Sequence, residues 1–259
     1  MTRSVATHTV YFVGAGPGNA DLITRKGWDL LSQADIVLYD ALLDIEGFRQ
    51  AAPSSRWINV GKRVGQLSTS QPFISKSIVN LTLRGYRVVR LKGGDPSIFG
   101  RLSEEIEACR AANIDFEIVP GVTAASGCAA ELGISLTQRS VSRSVTFLTP
   151  KTSARQGGST HWVPSALASD TVVLYMASTE LPLIAQLLVS HGKPAETPVA
   201  IVESASLSSR KYVTTLQDCL NLQLEGSGGA VTLVIGDVVS AAGDIAAIHP
   251  DRISFMEAV

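Results

Sequence analysis

Two glycines, an acid and a proline, Gly93-Gly94-Asp95-Pro96, follow the apolar run from Tyr86 to Leu91. Paired glycines remove side chains where another group must come close to the backbone, and Asp-Pro turns the chain sharply out of a strand. In an open α/β sheet, loops at the carboxyl ends of strands are where ligands bind. A second glycine loop, Gly14-Ala15-Gly16-Pro17-Gly18, ends an earlier apolar run, and Pro120-Gly121-Val122-Thr123-Ala124 ends a later one. With Met176 after a further strand, these loops suggest a backbone cradle for a compact ligand, uncharged or cationic. The first loop reads Gly-x-Gly-x-Gly, not the six-residue dinucleotide fingerprint, and Pro17 stands where a helix would open toward a pyrophosphate. On residue chemistry alone a nicotinamide site with Asp40 as ribose acid stays open. So do plainer readings: a strand-to-helix turn at 93–96, a turn or helix-cap acid at Asp40, and core packing for Met176.

The elements that must hold these loops alternate. Apolar runs at 9–13, 34–39, 56–60, 86–91 and 116–119 read as buried strands. Helical spacing falls between them, over 21–31, about 44–52, 72–84, and through Glu104, Glu105, Ile106 and Cys109. This alternation predicts a largely parallel sheet with right-handed crossovers. After the polar stretch Leu136 to Arg143, read as a hinge, strands are predicted at 145–148, 171–175, 199–203, 211–214 and 231–236, with a helix over 183–189. Their close spacing predicts a mixed sheet. The expected organisation is α/β with two domains, 1–138 and 143–259. The stretch Lys151 to Ser169, rich in Ser, Thr and Gly, is either a lid over a site or a plain surface loop.

The 259 residues carry 22 basic and 23 acidic side chains, so no bulk field draws the chain to nucleic acid or a membrane surface. Hydrophobic residues make up 45% of the chain but fall in short runs, none near the roughly 18 uninterrupted residues of a membrane span. Met1 to His8 has no apolar signal core, and Cys109, Cys128 and Cys219 lie far apart without Cys-x-x-Cys spacing. The expectation is a cytoplasmic protein with buried, reduced thiols and no metal site.

Several motifs stand in one order: Val10 to Gly18, Leu38-Tyr39-Asp40-Ala41-Leu42, Val60-Gly61-Lys62-Arg63, Arg90 to Arg101, and Val119 to Ala125. Leu136-Thr137 and Arg143 to Phe147 follow. Together they resemble the uroporphyrinogen-III C-methyltransferases of the tetrapyrrole (precorrin) methylase superfamily, over residues from about 9 to 240. The glycine loops are shared across that superfamily; Tyr-Asp-Ala-Leu with Gly-Lys-Arg points to the uroporphyrinogen branch rather than to later precorrin methylases or diphthine synthase. The resemblance implies two α/β domains with S-adenosylmethionine in the cleft between them, and a homodimer. It implies methylation of uroporphyrinogen III at C2 and C7, with precorrin-2 as the end point, toward siroheme or cobalamin. Matched position by position, Pro17, Gly93, Gly94, Asp95, Ile98, Thr123, Ala124, Met176 and Ala205 become cofactor contacts. Asp40 becomes the proton acceptor and Lys62 the proton donor. The substrate is rich in carboxylates, so Arg63, Arg101 and Arg139, with Arg25, Lys26 and Arg143, are candidate counter-charges. Three departures stand out: Leu102-Ser103 in place of Gly-Gly, Gln138 in place of His, and Pro150-Lys151 in place of Gly-His. The last two bear on substrate fit and turnover.

Overall fold

Strands buried on both faces read as largely apolar runs, and such runs form the middle of the first sheet. A computed structural model describes residues 9–41, 43–61, 70–150, 160–177, 180–222, 224 and 229–243. By its internal contacts the chain forms two units, Met1–Ala124 and Ala125–Val259, which puts the 138–143 turn inside the second unit.

The first unit contains β1 (Val10–Gly14), α1 (Arg25–Leu31), β2 (Ile36–Tyr39), α2 (Ile45–Arg49) and β3 (Arg56–Asn59). It continues with α3 (Gln71–Leu83), β4 (Val88–Lys92), α4 (Leu102–Ala111) and β5 (Phe116–Val119). The strands lie in the order β3-β2-β4-β1-β5, and every pairing is parallel. From β1 and β2 the chain moves toward one edge; from β3 and β4 it moves toward the other. Right-handed crossovers therefore put α1 and α2 on one face and α3 and α4 on the opposite face. Leu31 and Phe48 accordingly pack with Val13, Val37 and Val89, while Ile74, Ile78 and Cys109 pack with Phe12, Leu38 and Val88. The neighbours β1 and β4 send their connections to opposite sides, so their carboxyl ends flank the switch point of this sheet. A ligand crevice is expected there.

The helix expected over 21–31 is interrupted. A 3₁₀ turn covers Ala20–Leu22, and α1 starts only after Thr24, whose hydroxyl accepts the Gly27 amide. The reason is local: a Thr side chain competes for that amide and caps more readily than it continues a helix.

The second unit carries α5 (Ala124–Leu132, starting at the boundary), β6 (Val145–Leu148), α6 (Val163–Ala168), β7 (Thr171–Tyr175), α7 (Leu181–Ser190), β8 (Pro198–Glu203), β9 (Arg210–Thr215), α8 (Leu216–Cys219) and β10 (Val231–Ile235). The sheet order is β6-β7-β10-β8-β9, with β6 parallel to β7 and the remaining pairs antiparallel, so the sheet is mixed. Part of the 151–169 stretch is neither lid nor loop. Trp162, Val163 and Ala166 are buried in a core with Leu181 and Ile184, and α6 spans that segment. Residues 151–159 lie outside the described residues.

All three cysteines are unpaired and buried. Burial pushes the thiol of Cys109 up to about 11 and those of Cys128 and Cys219 to about 12. Thiols held that high are not nucleophiles at neutral pH. Among the described residues no helix is long and apolar enough to cross a membrane.

Candidate functional site

The glycine loops meet at the switch point. The Gly94 amide donates to the Gly16 carbonyl at 2.7 Å and the Gly16 amide to the Gly94 carbonyl at 3.2 Å, a small bridge between the loops after β1 and β4. The Ala15 amide donates to the Lys92 carbonyl at 2.8 Å. The loop after β5 packs against both: a Cβ on Gly14 would lie 2.6 Å from the Gly121 backbone and 2.9 Å from the Gly94 carbonyl oxygen. Asp95 ties the same loops together. Its Oδ2 accepts the Gly121 amide at 2.9 Å and its Oδ1 accepts the Ser97 amide at 2.8 Å together with the Ser97 hydroxyl. Burial raises the Asp95 pKa, but these donors outweigh it and hold the carboxyl below its ordinary value of 3.8.

Gly93 and Gly94 differ from Gly14. A Cβ on Gly93 would meet only Leu43, at 3.9 Å, and one on Gly94 only the Ala124 amide nitrogen, also at 3.9 Å. Gly94 has φ +69, in the left-handed region that favours glycine. Packing therefore requires no glycine at 93; what its absent side chain leaves is open space beside a backbone at the switch point. Beyond it the chain is contorted, with Phe99 at φ 51 and Arg101 at φ 52. Such conformations in non-glycine residues concentrate at ligand sites.

Under this loop lies a cluster of charges that the apolar pattern did not reveal. Arg90 and Lys92 sit two residues apart on the central strand, facing α3 and α4, and are 4% and 2% exposed. Glu105 of α4, fully buried, accepts Arg90 Nε at 3.1 Å and Gln71 Nε2 at 3.1 Å on Oε1, and Lys92 Nζ at 2.7 Å on Oε2. Arg90 Nη1 reaches the carbonyls of Leu91 and Leu38, and Nη2 donates to Asp40 Oδ1. The second Asp40 oxygen accepts the Gly93 amide at 3.0 Å. Two acids and two bases thus balance, as buried charges must. The readable signal was a pair of cations at i and i+2 within a central strand, which must find acids on the same face.

Asp40 is no helix cap, since Asp44 accepts the Gly47 amide at the start of α2. Its side chain is 32% exposed. Burial raises its pKa, but the charges of Arg90 and Lys92 and the bonds from Arg90 and Gly93 hold it below its ordinary value of 3.8. Lys92 shifts downward, through burial first and then the Arg90 charge.

The remaining sequence-derived residues fall as follows. Pro17, Ile98, Thr123 and Ala124 are half-buried in the first unit beside the glycine loops. Met176 directly follows β7 and is not core: it is 50% exposed with φ 57. Ala205 is buried between two left-handed residues, Ser204 at φ 52 and Ser206 at φ 68. Lys62 and Arg63 lie outside the described residues. Arg101 is held by Glu104 through two bonds of 2.8 and 2.9 Å, and Lys26 pairs with Glu117. Arg139 and Arg143 are exposed and line an open concavity of ≈ 480 Å³ with Thr137, Gln138, Ser140 and Ser142.

The Ala205 loop is fixed from α5. Glu131 accepts the Ser206 amide at 3.0 Å, the Ser209 hydroxyl at 2.7 Å and an ion pair from Lys211 at 3.5 Å. Burial raises the Glu131 pKa, but these partners hold it below 4.5. A carboxyl with a depressed folded pKa contributes stability that is complete above its unfolded pKa and lost as pH falls through the folded one. Wild type should therefore weaken as pH drops from about 5 toward 3, and Glu131→Gln should show a shallower acid limb. Urea midpoints measured across that range check this; equal slopes in both proteins contradict it.

Known proteins resemble this chain in sequence and in fold. Residues 9–220 match the family model described as Tetrapyrrole (Corrin/Porphyrin) Methylases. The chain belongs to that family. A siroheme synthase of Pseudomonas fluorescens (strain Pf0-1) is 44% identical over 239 residues, which is 91% of this chain and 51% of that protein. The family member described here thus spans about half the length of the curated relatives it matches. Among solved structures, uroporphyrin-III C-methyl transferase from Thermus thermophilus, complexed with S-adenyl homocysteine, aligns with TM-score 0.73 and 30% identity over 90% of this chain and 99% of that one. A cobalt precorrin-4 methyltransferase aligns with TM-score 0.77 and 25% identity over 92% and 99%.

Proposed function

We propose that this methylase transfers methyl groups from S-adenosylmethionine to uroporphyrinogen III, at C2 and C7, giving precorrin-2. The observation that carries the reading is the open backbone at Gly93 and Gly94, at the switch point of a family fold whose Thermus thermophilus relative is complexed with S-adenyl homocysteine. The residues present fit such a ligand. Among the described residues the Gly93 carbonyl accepts no hydrogen bond, so it offers an acceptor beside space that a side chain would fill. Pro17, Gly93, Gly94, Asp95, Ile98, Thr123 and Ala124 are the proposed first-unit contacts; Met176 and Ala205 are the proposed contacts from the second.

When bound, S-adenosylmethionine supplies an electrophilic methyl group. The chain's own work is then to orient the substrate, exclude water and manage protons. Asp40 is ionised at neutral pH and part-exposed, so it can take a proton from a strongly acidic carbon of the methylated macrocycle. Lys62 is the proposed proton donor, and Arg63, Arg101 and Arg139 the proposed partners of substrate carboxylates. Arg101 would have to exchange or share its bond to Glu104 to do so. A homodimer and a cytoplasmic setting complete the proposal.

The ligand is tested by melting. S-adenosylhomocysteine should raise the melting temperature, by a stabilisation of about 2.7 kcal/mol at a hundredfold excess over Kd. NAD and NADP should leave it unchanged. A shift with NAD alone would sink the methylase reading in favour of a nicotinamide site.

A further inference from the structure

The Gly93 amide is not free to face a ligand, because Asp40 Oδ2 holds it at 3.0 Å. What holds Asp40 is Arg90, and what holds Arg90 is Glu105. We propose that Glu105 is a positioning residue for the cofactor loop: through Arg90 and Asp40 it fixes the Gly93 peptide. This leaves the Gly93 carbonyl as the group presented to the ligand. The inference rests on the proposed cofactor reading of the loop, but its geometric part does not.

Glu105 has no access to any ligand, since its side chain is fully buried. Its influence must pass through its partners. It is the acceptor for both buried cations of β4 and for Gln71. Neutralising it leaves Arg90 and Lys92 with Asp40 as their one remaining carboxylate within the cluster. Lys92 already acts on the Asp40 charge. With its own acceptor weakened, its ammonium competes with the Gly93 amide for Asp40 Oδ2. Removing the Lys92 charge in the same molecule restores the balance and returns Asp40 to its two donors. A role confined to stability predicts no such recovery at the loop, because the double variant loses still more buried contacts.

The test combines S-adenosylhomocysteine titration with the ¹⁵N–¹H signal of the Gly93 amide in unliganded protein. Glu105→Gln should move that signal, speed its exchange with solvent and weaken binding about tenfold, the loss expected for one charge-assisted hydrogen bond. Glu105→Gln with Lys92→Met should return the signal and bring affinity to within about threefold of wild type, the limit of ordinary additivity. If Glu105→Gln does not fold, Arg90→Lys interrogates the same link, since a single ammonium cannot reach all of the Arg90 partners. An unchanged Gly93 amide in Glu105→Gln or in Arg90→Lys overturns the proposal. So does a double variant no better than the single in both readouts. If wild type binds no S-adenosylhomocysteine, the cofactor reading fails, and the Gly93 signal alone decides whether Glu105 positions the loop.

Discussion

Gly94→Val should lose at least about 100-fold in affinity for S-adenosylhomocysteine, equivalent to roughly 2.7 kcal/mol, while the first unit stays folded. Two effects combine. At φ +69 a β-branched residue is strained by about 1–2 kcal/mol, which weakens the Gly16–Gly94 bridge. Its methyls also enter the open space that the proposed ligand needs, where a Cβ alone meets only the Ala124 amide nitrogen at 3.9 Å. Titration calorimetry and a melting curve on the same sample separate the two. Undiminished affinity in a folded variant would show that the loop is only a turn.

Arg90→Met should be the costliest single change to stability. Removing one member of a buried ion pair leaves its partners uncompensated, at about 3–5 kcal/mol. Here Asp40 would lose its guanidinium, and Glu105 would keep only Lys92 and Gln71. For a chain of this size that corresponds to a drop of roughly 10 °C in the transition of the first unit. The Gly93 amide should lose protection at the same time, because the Asp40 that holds it is no longer anchored. A variant melting within a degree or two of wild type would mean that the cluster contributes almost nothing net. Exposed pairs such as Arg25 with Asp29 contribute little by comparison.

The strands of both units were legible because strands in the middle of a sheet are buried on both faces and must be largely apolar, as β1, β2 and β7 are; β4 is buried too, but one of its faces carries Arg90 and Lys92. The mixed character of the second sheet followed from strands too close together for helical crossovers. α6 was missed because it is only six residues long and follows a Ser-, Thr- and Gly-rich stretch, which hid the apolar positions Val163, Ala166 and Leu167. The position of Asp40 at a strand end was visible, but its environment was not. Its partners come from residues 50 and 53 positions away, and only the fold brings Arg90 and Gly93 to its two oxygens. Met176 was marked by its place after a strand and by the resemblance, but nothing in the sequence around it announces a half-exposed side chain with positive φ. Arg101 looked like a free cation for a substrate, yet Glu104, three residues on, claims its guanidinium. Arg101 immediately precedes α4, and Glu104 in the first turn of that helix lies within its reach.

The mass of the product tests the proposed reaction most directly. The chain, incubated anaerobically with uroporphyrinogen III and excess S-adenosylmethionine, should convert the substrate to a species heavier by two methyl-for-hydrogen exchanges, with the absorption of precorrin-2. Unmodified uroporphyrinogen III alongside a chain that still binds S-adenosylhomocysteine would contradict the proposed substrate. It would direct attention to later corrin-ring methylations, as in the cobalt precorrin-4 methyltransferase that shares this fold.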